Sequence, residues 1–133
     1  MKVKTKYPPN FDRIKERFGP LPHSVVFTYG DILYVPSGNR IPKDLKVHEK
    51  VHTEQQGDDP EAWWERYLED DAFRLEQELE AYKKQFNFYK NNCKIKKQIP
   101  LFLDEITRVL SGPVYGNIIS FDKAKKLIGG DWN

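Results

Sequence analysis

A mainly helical α+β fold, with one small antiparallel sheet upstream of its most distinctive helix, is what this sequence predicts. Three observations carry that reading. Apolar residues recur at three- and four-residue spacing through most of the 133 residues. Two β-rich runs, at 25–28 and 32–35, flank Tyr29-Gly30-Asp31, which reads as a tight hairpin turn. Glycine and proline clusters then divide the rest into helix-sized pieces.

Taken in order, Pro8-Pro9-Asn10 opens a short helix with Phe11, Ile14 and Phe18 on one stripe, and Gly19-Pro20 stops it. The hairpin follows, then a loop at Pro36-Ser37-Gly38-Asn39. A second helix starts near Pro42, a residue suited to a first turn, and runs to about Gln56, where Gly57-Asp58-Asp59-Pro60 breaks it. A long helix is expected from about Pro60 to about Lys90. A fourth begins near Pro100, with Leu103, Ile106 and Leu110 on one side, and ends at Ser111-Gly112-Pro113. Ser120 caps a last short helix that points Ala124, Leu127 and Ile128 inward and closes at Gly129-Gly130.

The length suits one domain, residues 1–133, with a real core. The formal net charge of +2 is near neutral, and the lysine groups at 2–6, 94–97 and 123–126 are interrupted by other residues. They read as solvated faces, so nucleic acid is not an expected partner. The single cysteine, Cys93, excludes an internal disulfide framework and reads as an incidental thiol. No apolar run approaches the roughly twenty residues of a membrane span. The charged N-terminus lacks a hydrophobic segment behind it and does not read as a signal peptide. A reducing, cytoplasmic setting without membrane association is the expectation.

The strongest chemical signal is His48-Glu49-Lys50-Val51-His52, the pattern H-E-x-x-H. On a helix, residues four apart share a face, so both imidazoles reach one metal ion. Glu49 then sits beside the metal and can act as general base on water. Only three histidines occur in the chain, and two lie in this pattern.

A catalytic zinc wants a third protein ligand, and three residues compete for the role. Asp58 follows His52 by six residues, but the extended motif that uses such a ligand needs a glycine where Gln55 stands. His23 lies upstream in a polar loop. Glu78 is favoured by geometry. Across the expected long helix it shares a face with Trp64, Leu68, Asp71, Leu75, Tyr82, Phe86 and Tyr89. A carboxylate on an apolar stripe is costly unless it is paired or binds a metal, with Arg74 as the rival partner. Asp71, Gln55 and Gln56 are candidates to accept the histidines' other ring N–H groups. Trp63, Trp64 and Tyr67 read as core rather than as a substrate subsite.

With the motif and Glu78 in view, the chain resembles the gluzincin zinc peptidases over about residues 42–86. In those, H-E-x-x-H precedes a helix bearing a glutamate ligand, often within E-x-x-A-[DN]. Glu78-Leu79-Glu80-Ala81 matches that second pattern, and Tyr82 departs from it. The chain is also similar in size and pattern to small metallopeptidases encoded by phages, for which the setting would be the host cytoplasm. The resemblance implies a minimal zincin-like domain, a Zn2+ cofactor held by His48, His52 and Glu78, and a peptide or protein substrate. An extended peptide would add to an edge of the 25–35 sheet. Glu49 would accept a proton as water attacks the amide and pass it to the leaving amine. Tyr115, in the small-residue loop 111–116, is the candidate oxyanion donor. A non-catalytic metal-binding protein with a structural or host-interaction role is the alternative. Oligomeric state is not legible.

Overall fold

The computed structural model describes residues 1–130. Gly30, at φ +63°, makes the turn between strand β2 (Phe27–Tyr29) and strand β3 (Ile32–Tyr34), which pair antiparallel with Tyr29 opposite Ile32. The sheet is larger than the expected hairpin. Strand β1 (Lys2–Lys4) pairs parallel with β3, placing Val3 opposite Leu33, so the sheet is mixed and ordered β1-β3-β2. All three β1 residues are exposed. Lysines on an edge strand discourage further pairing, and in sequence they resemble any solvated segment.

Among the described residues six α-helices accompany this sheet. Helix α1 (Phe11–Phe18) buries Ile14 and ends at Gly19, whose φ of +77° suits a residue without Cβ. Helix α2 (Lys43–Gln56) carries the H-E-x-x-H motif and ends at Gly57, φ +55°. Pro60 occupies the first turn of α3 (Pro60–Glu69), and the Asp59 carboxylate accepts from the Ala62 N–H.

The expected long helix is two helices. At Asp70 the backbone turns extended (φ −113°, ψ 102°), and its carboxylate accepts from the Phe73 N–H at 3.0 Å. Asp70 thus ends α3 and caps α4 (Asp71–Asn92). The break resets the helical phase, so Trp64 and Leu68 of α3 do not share one continuous face with Glu78. Within α4 the phase holds: Glu78, Tyr82 and Phe86 are buried together.

A 3₁₀ turn at Lys96–Gln98 leads into α5 (Ile99–Leu110), and a second at Pro113–Tyr115 precedes α6 (Phe121–Gly129). The Ser120 side chain caps α6 as expected, and Ala124 and Ile128 are buried. Leu127 is not inward; it lies on the outer side, 38% exposed.

Besides a small cluster of Leu33, Val35 and Ile41, two larger apolar clusters form among the described residues. One joins Tyr82 and Phe86 of α4 to Ile99, Leu103, Ile106 and Leu110 of α5 and Ala124 and Ile128 of α6. The other joins Ile14, Phe27, Tyr34, Trp63, Trp64, Tyr67 and Leu68. Helix α4 contributes to the first directly and touches the second through Phe73. Helices α2 and α4 pack along each other. Among the described residues no helix is long and apolar enough to cross a membrane.

Candidate metal centre

The packing of α2 against α4 brings His48, His52 and Glu78 together, all buried. Their converging atoms form a tight triangle. His48 Nε2 lies 3.1 Å from Glu78 Oε1, His52 Nε2 lies 3.2 Å from the same oxygen, and the two Nε2 atoms are 3.2 Å apart.

The groups around the triangle determine what those atoms are. Gln85 Nε2 donates to Asp44 Oδ2 at 2.8 Å, and a carboxylate can only accept. The Gln85 amide oxygen therefore faces His48 Nδ1, 2.9 Å away, and that ring nitrogen must carry the hydrogen. The same logic applies at His52. Gln55 Nε2 donates to the Gln77 carbonyl (3.0 Å) and to Glu80 Oε1 (2.7 Å), which turns its oxygen toward His52 Nδ1 at 2.8 Å. With both Nδ1 atoms donating outward, both Nε2 atoms offer lone pairs inward, next to a carboxylate oxygen. Three acceptors converge with no side-chain donor among them. A cation satisfies such an arrangement.

The dimensions fit a metal ion. In a tetrahedral zinc site with bonds of about 2.0–2.1 Å, neighbouring ligand atoms stand about 3.3 Å apart. The observed edges are within a few tenths of an ångström of that value. Without a metal, a proton takes the role. Burial disfavours a charged His52 ring, but attraction to Glu78, and then to Glu49, outweighs it and lifts the imidazole to about 9. Burial likewise opposes ionisation of Glu78, and His52 and His48 more than offset this, holding its carboxyl well below the usual carboxylate range. Proton and metal compete for the same lone pairs.

Glu78's second oxygen accepts from the Tyr67 hydroxyl at 2.6 Å. Glu49, 6% exposed, accepts from the Thr28 hydroxyl at 2.9 Å. Tyr115 and Tyr82 share a hydrogen bond of 2.8 Å, and the Tyr82 ring packs edge-on against His48. Burial first, then the Glu78 charge, push Tyr67, Tyr82 and Tyr115 well above the usual phenol range, so all three remain hydrogen-bond donors. Glu49, His52, Glu78 and Tyr115 line one cavity of about 60 Å³. Its walls are apolar, including Phe18, Val25 and Val114.

Several sequence expectations are corrected here. Asp71 does not approach the histidines: its side chain is 62% exposed and bonds Arg17 (3.3 Å) and Arg74. Asp71 begins α4 two turns before Glu78, about 10 Å away along the helix axis, and Arg17 and Arg74 hold its carboxylate there. Arg74 is not Glu78's partner. Fully buried, it donates to the Tyr67, Leu68 and Tyr115 carbonyls. Gln56 serves the hairpin, donating to the Thr28 carbonyl (2.8 Å) and accepting from the Gly30 N–H (2.6 Å). His23 bonds Tyr7 at 3.1 Å at the surface, and Asp58 is exposed; neither joins the triangle. Glu80 remains exposed and accepts from the Gln55 amide. Trp63, Trp64 and Tyr67 are buried in the core and also line the cavity.

Sequence reasoning missed Thr28, Asp44, Tyr67 and Gln85. Two of them left a trace: Asp44 precedes His48 by one helical turn, and Gln85 follows Glu78 by two. The edge of β2 is also less open than expected. The Thr28 carbonyl already accepts from Gln56 and from Trp64 Nε1 (3.0 Å), so an added peptide strand cannot use it. Comparison of the chain with family models, curated proteins and solved structures yields no match.

Proposed function

We propose that the protein is a zinc-dependent metallopeptidase of the gluzincin kind, with His48, His52 and Glu78 as ligands and Glu49 as general base. The observation that carries this reading is the placement of Glu49. A metal that serves only structure needs no carboxylate beside it. Here a buried carboxylate shares the cavity with His52 and Glu78, and its partner is a hydroxyl rather than a cation. A zinc ion bound there supplies Lewis acidity, polarising a carbonyl and acidifying water.

The chain's own residues perform the rest. Glu49 takes a proton from the attacking water and delivers it to the leaving amine nitrogen. The Thr28 hydroxyl aims the carboxylate. Tyr115, kept protonated by its surroundings, is the candidate donor to the developing oxyanion. Among the described residues no lysine or arginine lines the cavity. An internal peptide bond next to an apolar side chain therefore suits it better than a substrate anchored by its carboxylate.

The second reading, a metal-binding protein without catalysis, is favoured by the size of the cavity. About 60 Å³ admits a handful of waters, less than a peptide unit with its side chain.

Elemental mass spectrometry of purified wild type, H48A and E78A tests the site. About one zinc per wild-type chain, lost in both variants, is expected. Peptide-mixture digestion, read by mass spectrometry, then separates the two readings. Cleavage by wild type and none by metal-loaded E49Q supports the peptidase. Metal without cleavage supports the second reading, and no metal in wild type after zinc is offered overturns both.

A further inference from the structure

We infer that Gln85, backed by Asp44, is the positioning residue that locks His48 as its Nδ1–H tautomer and so keeps the Nε2 lone pair on the metal. This rests on the metal site proposed above and adds a residue set that lies outside the H-E-x-x-H pattern. The four groups make a closed circuit between two helices. Helix α2 supplies Asp44 and, one turn later, His48. Helix α4 supplies Glu78 and, two turns later, Gln85. Glu78 meets His48 on the metal side of the ring at 3.1 Å, and Gln85 meets it on the far side at 2.9 Å. The imidazole is held from both edges by one helix.

The direction of the lock comes from Asp44. An amide can present either its oxygen or its nitrogen, so Gln85 alone would stabilise either tautomer. With a carboxylate behind it, the flipped amide would set oxygen against oxygen on one side. Only one orientation bonds at both ends, and it assigns the ring hydrogen to Nδ1. Gln85 is 4% exposed, so water cannot easily take over its role. The arrangement differs from a carboxylate placed directly on the histidine. A neutral amide leaves the imidazole a neutral donor, and the negative charge of Asp44 stays one residue removed from the ligand.

The test uses metal-free full-length protein with cobalt(II) as probe, its affinity measured by chelator competition and its coordination by visible absorption. Long-range proton–nitrogen NMR of the His48 ring reads the tautomer directly. In Q85M, which preserves bulk and removes the acceptor, cobalt affinity is expected to fall roughly 10- to 100-fold, as for other partners of ligating histidines. His48 should then show a mixture of tautomers. D44N, a change at the helix surface that spares the core, should give a smaller loss with the same tautomer mixing. Both variants keeping wild-type affinity and a pure Nδ1–H tautomer would overturn the inference while leaving the metal site intact. Wild type failing to bind cobalt at all would overturn the metal site and this inference together. Should Q85M not fold, D44N alone decides by the same two readouts.

Discussion

Glu78 concentrates the chemistry of the site in one side chain. One carboxylate oxygen meets both imidazoles, and the other takes the Tyr67 hydroxyl at 2.6 Å. A hydrogen bond to a charged group is stronger than a neutral one, and here it also fixes the carboxylate's rotation about its last bond. Tyr67→Phe keeps the ring packing with Trp63 and Trp64 and removes only that bond. Its expected result is a metal affinity lowered about 10-fold, with stability reduced by about 1 kcal/mol. Chelator competition and thermal unfolding on the same sample check both numbers. An unchanged affinity would mean that the carboxylate is oriented by its helix alone.

At the scale of elements, Arg74 does more than any other side chain to join separate segments. It sits on the first turn of α4 and donates back to the last turn of α3 through the Tyr67 carbonyl (2.6 Å). It also donates forward to the Tyr115 carbonyl (3.0 Å), in the 3₁₀ turn that lines the cavity. Arg74→Met would fill similar space and leave those carbonyls without their donor. A loss of about 3 kcal/mol or more is expected, since unpaired buried polar groups cost about 1–3 kcal/mol each; urea unfolding measures it. The same region shows why the sequence was only partly legible. Glu78, Tyr82 and Phe86 could be placed on one face because the 3.6-residue period runs unbroken through α4. Trp64 and Leu68 could not, because Asp70 caps a new helix and the period restarts there. The motif and Glu78 were visible because each stands out by local spacing, the histidines four apart and the carboxylate on the apolar stripe of its own helix. Thr28 on Glu49 and Gln85 on His48 join residues 21 and 37 apart in the chain, and the place of Gln85 two turns past Glu78 is the one local trace of either. Strand β1 was hidden for a related reason: Lys2-Val3-Lys4 becomes a strand only because β3 lies beside it.

For the whole molecule, the His48, His52 and Glu78 triangle joins α2 to α4, the two helices that pack most extensively. The α2 side leans on the sheet through Gln56 and Thr53, which bond the hairpin turn at Gly30. The α4 side belongs to the cluster completed by α5 and α6. A ligand that binds only the folded state stabilises it by mass action, by about 2.7 kcal/mol at a hundredfold excess over Kd. For a domain of this size that corresponds to a rise in Tm of roughly 8 °C. Differential scanning calorimetry with and without zinc, after chelation, is the check. A Tm indifferent to zinc would mean that the triangle does not take up the ion.

The Trp63 ring lies 5.4 Å from the His52 ring, centre to centre, and is stacked on Tyr67. That proximity gives the protein a built-in optical sensor of its own site. A paramagnetic ion such as cobalt(II) or copper(II) seated between His48, His52 and Glu78 should quench the indole's emission by a short-range process that zinc cannot produce. Occupancy would then be readable in real time, without a substrate and before any activity is known.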